Sequence, residues 1–170
     1  MILGMFWGTI IYPFILALLY LAVYLVVFFL FPKVFNYPHP AVTRQVIVSA
    51  LLVMALSLLT WAVTTVIPNE QLANRLLHAV GGGVLVMVTC FLAARESQAK
   101  INTFQFIVFS VLVTTALGVG NEILEFFLQN VTGEMFADSI IDTWLDLTSN
   151  TVGALVAAVI LIPLWNKNRE

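Results

Sequence analysis

Apolar residues in this chain run almost unbroken through five stretches, about 5–31, 45–67, 72–94, 103–128 and 139–165. Each reaches the roughly 20 residues that a helix needs to cross hydrocarbon. Backbone amides must be paired within lipid, and runs of this length suit helices rather than barrel strands. The pattern predicts an all-α, polytopic membrane protein: one domain over 1–170, built as a bundle of five transmembrane helices. Pro13 falls inside the first run and is expected to kink it. That run lacks a basic leader and exceeds a signal-peptide core, so it reads as a retained helix. The connection that follows, rich in proline and aromatics, is expected to lie at the interface.

Composition narrows the class. With 61% apolar and 9% charged residues and a mean hydropathy of +1.03, the chain is neither a water-soluble globule nor disordered. No basic run is long enough to grip nucleic acid. Cys90, the only cysteine, excludes an intrachain disulfide and reads as packing. The net charge of −2 conceals a strong asymmetry. Lys33, Arg44, Arg95, Lys100, Lys167 and Arg169 fall on one side of the five crossings, and only Arg75 on the other. The positive-inside rule then predicts an N-terminus outside and a C-terminus in the cytoplasm. An odd number of crossings leaves a homodimer open.

The polar exceptions carry the functional reading. Helix three holds Arg75 and His78, then Gly81, Gly82 and Gly83; helix four holds Asn121, Glu122, Glu125 and Gln129. Helix five carries Asp142, Asp146, Asn150 and Gly153 at helical spacing. Residues three and four apart share a helix face, so each set forms a stripe. At about 1.5 Å per residue, His78, Glu122 and Asp146 each lie roughly 10 Å below the outer end of their helix. A central charge costs about 2.5–3.5 kcal/mol on insertion scales, so these groups must face one another or water.

Carboxylates crowded together need shared protons, a basic partner or a cation. The pattern predicts a polar cavity open to the outside, walled by helices three, four and five. His78, Glu122, Glu125 and Asp146 are the catalytic candidates, and these four with Asp142 are the candidate ligands of a divalent cation. Arg75, Asp142, Asn150 and Gly82 are the candidate contacts to a bound molecule. Simpler readings stand beside these. Ser139-Ile140-Ile141-Asp142 fits a helix cap, Arg75 can snorkel, His78 can be a satisfied core histidine, and the glycines can be a packing surface. Asn130-Val131-Thr132 matches a glycosylation sequon. The tryptophans read as interfacial or packing residues.

At these residues the chain resembles the VanZ-like membrane proteins and, more loosely, the YjdF-type family. The resemblance rests on Arg75-Leu76-Leu77-His78, on Glu122-Ile123-Leu124-Glu125, and most specifically on Asp146 to Asn150 followed by Gly153-Ala154. Asp142-Thr143-Trp144-Leu145-Asp146 is the part similar to the YjdF-type proteins. The likeness covers about residues 72–160. Arg75 stands where VanZ-like proteins usually have lysine, and Gly133-Glu134 where they tend to carry a basic residue. The resemblance implies a bacterial or archaeal plasma membrane, a cell-envelope role and an association with glycopeptide-antibiotic resistance.

Four function classes follow. The first is a site for a membrane lipid or lipid-linked envelope molecule, held through a divalent cation. The second is a membrane hydrolase acting on a phosphoester or lipid headgroup, with His78 as general acid or base. The third is an ion-coupled transporter, opposed by the scarcity of charge in the inner halves of the helices. The fourth is a structural subunit in which the polar cluster only holds helices together.

Overall fold

The computed structural model describes residues 12–38, 40–98, 100–133 and 139–167. All regular structure among them is helical, and five helices are long and apolar enough to cross a membrane. They are α1 (Tyr12–Val34), α2 (Arg44–Thr65), α3 (Glu70–Glu96), α4 (Thr103–Thr132) and α5 (Ile140–Lys167). Pro13 opens the described part of α1, so the expected kink bears on residues outside the described ones.

Local chemistry sets the ends. The Thr43 hydroxyl accepts from the Val46 amide at the start of α2, and Asn69 Oδ1 accepts from Leu72 N–H at 2.9 Å at the start of α3. Asn102 and Gln105 form a reciprocal capping box on α4. Ser139 Oγ accepts from the Asp142 amide at 3.2 Å, as its spacing in the sequence predicts. The fourth helix runs to Thr132, four residues beyond the expected 128, because Gly133 supplies the left-handed stop at φ +74°. Glu122 therefore sits deeper than its sequence depth suggested, about 15 Å below the end of its helix.

The centre of the bundle is α3. In its most apolar stretch 56% of residues are buried, against no more than 33% in the other four spans. Leu77–Leu85 within it is π-helical, with i→i+5 bonding that widens the turn. This stretch packs most closely on α5. Association in lipid depends on close packing rather than on expelling water, which favours small residues at the contact. A Cβ at Gly83 would meet the Asn150 carbonyl and the Ala154 amide, and a Cβ at Gly153 would overlap the Ala79 carbonyl. The two backbones thus touch, and the glycine run is a packing surface.

The end of the bundle at which α3 and α5 begin and α4 stops is the upper end. The lower end is closed by aromatic rings. Phe31 and Phe109 lie 4.1 Å apart by centroid, joining α1 to α4, and Phe106 stacks on Trp165 at 4.4 Å. Trp165 is thereby a packing residue, whereas Trp144 is exposed near the upper end.

Candidate functional site

The polar stripes of α3, α4 and α5 meet near the upper end. Arg75 reaches from α3 across to α5 and pairs with both Asp142 and Asp146 through separate guanidinium nitrogens. Its NH1 also donates to the Asp142 carbonyl at 3.3 Å. Acids four residues apart on a helix stand one above the other, and a planar, forked guanidinium suits that spacing. Asn74 Nδ2 adds a donor to Asp146 Oδ1 at 3.2 Å. Asp146 itself is only 2% exposed.

His78 lies on the first turn of the π-helical stretch, with Nε2 3.4 Å from Asp146 Oδ1. Glu122 of α4 completes the set. One ligand atom from each of His78, Glu122 and Asp146 lies within 4.8 Å of the other two. Glu122 is 9% exposed, and neither of its carboxylate oxygens has a hydrogen bond. The side chains of Thr143 and Asn121 stand beside it.

Glu125 and Asp142 do not join this set. Glu125 accepts from Asn121 Nδ2 at 2.7 Å one turn along its own helix, and the Asp142 carboxylate is taken by Arg75. The capping and ion-pair readings of Asp142 therefore both hold: its amide is capped by Ser139 while its carboxylate pairs across the helices. Arg75 does not snorkel away from the site; it closes it.

Asn150 fills a slot between helices. A Cβ at Gly82 would overlap its Oδ1, and one at Gly118 would lie 3.0 Å from its Nδ2. The amide thus occupies the space two missing side chains leave, is 4% exposed, and keeps its Oδ1 without a hydrogen bond. Gly82, His78, Asn150 and Glu125 border a cavity of about 310 Å³. Its walls differ from those expected. α1 and α2 contribute alongside α3 and α4, and Asn150 is the lining residue from α5. A more open groove on the other side of α3, bordered by Arg75, Asp142 and Ser149, runs along the seam between α3 and α5.

Sequence reasoning missed Asn74, Gly118 and the hydroxyls of Ser57, Thr60 and Tyr20 that face the cavity. It also missed a polar group in the lower half. There the buried Tyr24 hydroxyl has no hydrogen bond, and Ser49 Oγ donates to Glu96 Oε1 at 3.4 Å. The spacing of Ser49 and Ser57, and of Tyr20 and Tyr24, on single helix faces was the available signal.

With this geometry in hand, comparison with known families is specific. Residues 1–167 match the family described as a predicted membrane protein, DUF2238. The chain belongs to that family. Its membership and its five apolar helices agree that it is an integral, multi-pass membrane protein. No curated protein and no solved structure matches it.

Proposed function

We propose that this DUF2238 member binds a cell-envelope or lipid-linked ligand at its upper end, through a divalent cation held by His78, Glu122 and Asp146. The observation that carries the reading is Glu122: a buried carboxylate with neither oxygen hydrogen-bonded, facing an imidazole and a second carboxylate within 4.8 Å. A buried acid with no basic partner is costly to ionise. Charge arithmetic points the same way. Arg75 pairs with Asp142 and Asp146, and Glu122 stands beside Asp146, so three carboxylates, when ionised, share one guanidinium and leave two negative charges for a divalent cation to balance.

Two oxygens on one Ca²⁺ ion, each at about 2.3–2.6 Å, can stand up to roughly 5 Å apart, and the imidazole widens the choice to Mn²⁺, Fe²⁺ or Zn²⁺. Arg75 and Asn74 then hold Asp146 in place from behind, and Asp142 anchors Arg75. Glu125, Asn150 and Gly82 border the ligand side of the site. The charge asymmetry of the connections supports an upper end that faces outward. The VanZ-like pattern at Arg75, His78 and Asp146 supports a cell-envelope ligand and a role in antibiotic resistance.

Mn²⁺ binding to chelator-treated, purified protein tests the reading. One ion per chain is expected, with a raised melting temperature and a loss of at least about tenfold in affinity for Glu122→Gln. In right-side-out vesicles the ion should bind when added from outside. Wild-type protein that binds no Mn²⁺, Ca²⁺ or Zn²⁺ would remove the cation.

The 3.4 Å approach of His78 Nε2 to Asp146 Oδ1 favours a second reading, phosphoester hydrolysis with a carboxylate orienting His78 as general base. Phosphate release by the metal-loaded protein that disappears in His78→Ala is its expected signature. Turnover unchanged in that variant argues against it.

A further inference from the structure

The cavity beside the acidic trio has walls of two kinds. Leu16, Leu19 and Val23 of α1 face Leu117 of α4 across an apolar space, while His78, Asn150 and Glu125 border it with polar atoms. Such a space suits an amphiphile better than a free polar solute.

The polar border is rich in acceptors. Glu125 brings a carboxylate, and Asn150, its amide packed between Gly82 and Gly118, borders the space beside it. Neither arginine nor lysine lines the cavity among the described residues. Arg75 points away, into its pairs with Asp142 and Asp146, and borders the opposite groove instead. His78 is the one cavity-lining side chain able to carry a positive charge, and it faces Asp146 from α5 and Glu122 from α4. An anionic head against this border would meet the Glu125 carboxylate with no arginine or lysine to offset it. A head that donates hydrogen bonds would suit that carboxylate.

The way in runs through the bilayer. Aromatic rings among the described residues join α1 to α4 at the lower end, where Phe31, and Phe35 just beyond α1, meet Phe109 at 4.1 and 6.1 Å. Among the described residues no Cα of α1 lies within 8 Å of a Cα of α4. Leu19 on one rim and Leu124 on the other are each about half exposed, at 51% and 52%. In a membrane that gap faces hydrocarbon, so an acyl chain can enter sideways without crossing water.

We infer that the cavity takes one single-chain membrane amphiphile with a non-anionic, hydrogen-bond-donating head, admitted laterally between α1 and α4. This rests on the reading of the upper end as a ligand site and names the class of its ligand, yet it does not require the cation.

Native mass spectrometry of protein released from lipid nanodiscs tests it, with monolauroylglycerol, laurate and lauryl phosphate as probes of equal chain length. Monolauroylglycerol should bind one molecule per chain, at least about tenfold more tightly than either anion. Leu19→Trp on the α1 rim and Ala116→Phe at a cavity-lining position of α4 should each abolish that binding while keeping the melting temperature. Two variants guard against one that fails to fold. Equal or tighter binding of lauryl phosphate, or unchanged binding in both folded variants, would overturn the inference. Selective monolauroylglycerol binding by a protein that takes up no Mn²⁺ supports it and overturns only the cation reading.

Discussion

Gly153→Val is expected to prevent the bundle from assembling. A side chain at this position points at the Ala79 carbonyl, and the facing Gly83 is closed in by the Asn150 carbonyl and the Ala154 amide. Overpacking in a core usually costs about 1–3 kcal/mol because flexible side chains move aside. Here backbone lies on both sides, so either α3 or α5 must shift as a unit. The expected cost exceeds ~3 kcal/mol, a large part of the 5–15 kcal/mol that holds a typical domain together. Shifting α5 would also withdraw Asp146 from Arg75 and His78. Size-exclusion profiles and thermal unfolding in mild detergent read the effect, as lost yield and a low melting temperature. Gly120→Ala is the control: a Cβ there has nothing within 4 Å, so the helix gains up to about 1 kcal/mol from the better helix former. A monodisperse Gly153→Val protein with normal melting would show that α3 and α5 do not touch as described.

That contact also shows what a sequence can and cannot disclose. The five spans follow from run length, and the stripes of α4 and α5 from spacing alone. Their shared depth brought His78, Glu122 and Asp146 together in the reading, and the structure places them together. Spacing did not separate Glu122 from Glu125, since residues three apart lie close on one face. The distinction is tertiary: Glu122 turns toward α3 and α5, while Asn121 holds Glu125 back. The π-helical stretch was equally hidden, because Gly81-Gly82-Gly83 fits an α-helix as well. The neighbouring helix packs into it, with Asn150 and Gly153 occupying the space that the glycines leave. The cavity walls supplied by α1 and α2 were illegible for a simpler reason. Leucines facing lipid and leucines facing a cavity look alike in an apolar run. The end of α4 was legible at Gly133, but the run of apolar residues stopped earlier and decided the boundary.

Arg75→Met is expected to destabilise the protein by about 3 kcal/mol, the low end of the cost of removing one partner from a buried ion pair, because Asp146 is buried while the Arg75 side chain is 23% exposed. The side chain bridges Asp142 and Asp146, and Asp146 is 2% exposed with only Asn74 and His78 left as partners. Two carboxylates one turn apart would then face each other and Glu122 without a fixed counter-charge. Arg75→Lys should recover part of the loss, because an ammonium is a single point charge and cannot fork between both acids. The decisive comparison is Arg75→Met/Asp142→Asn/Asp146→Asn. If the loss comes from stranded charge, the triple variant melts close to wild type, well above the sum of its parts, as coupled groups require. If it comes from lost packing of the arginine stem, the triple variant melts no higher than Arg75→Met. Divalent-cation binding separates the two roles of Asp146 in the same samples: Arg75→Lys should still bind Mn²⁺, and the triple variant, though folded, should not.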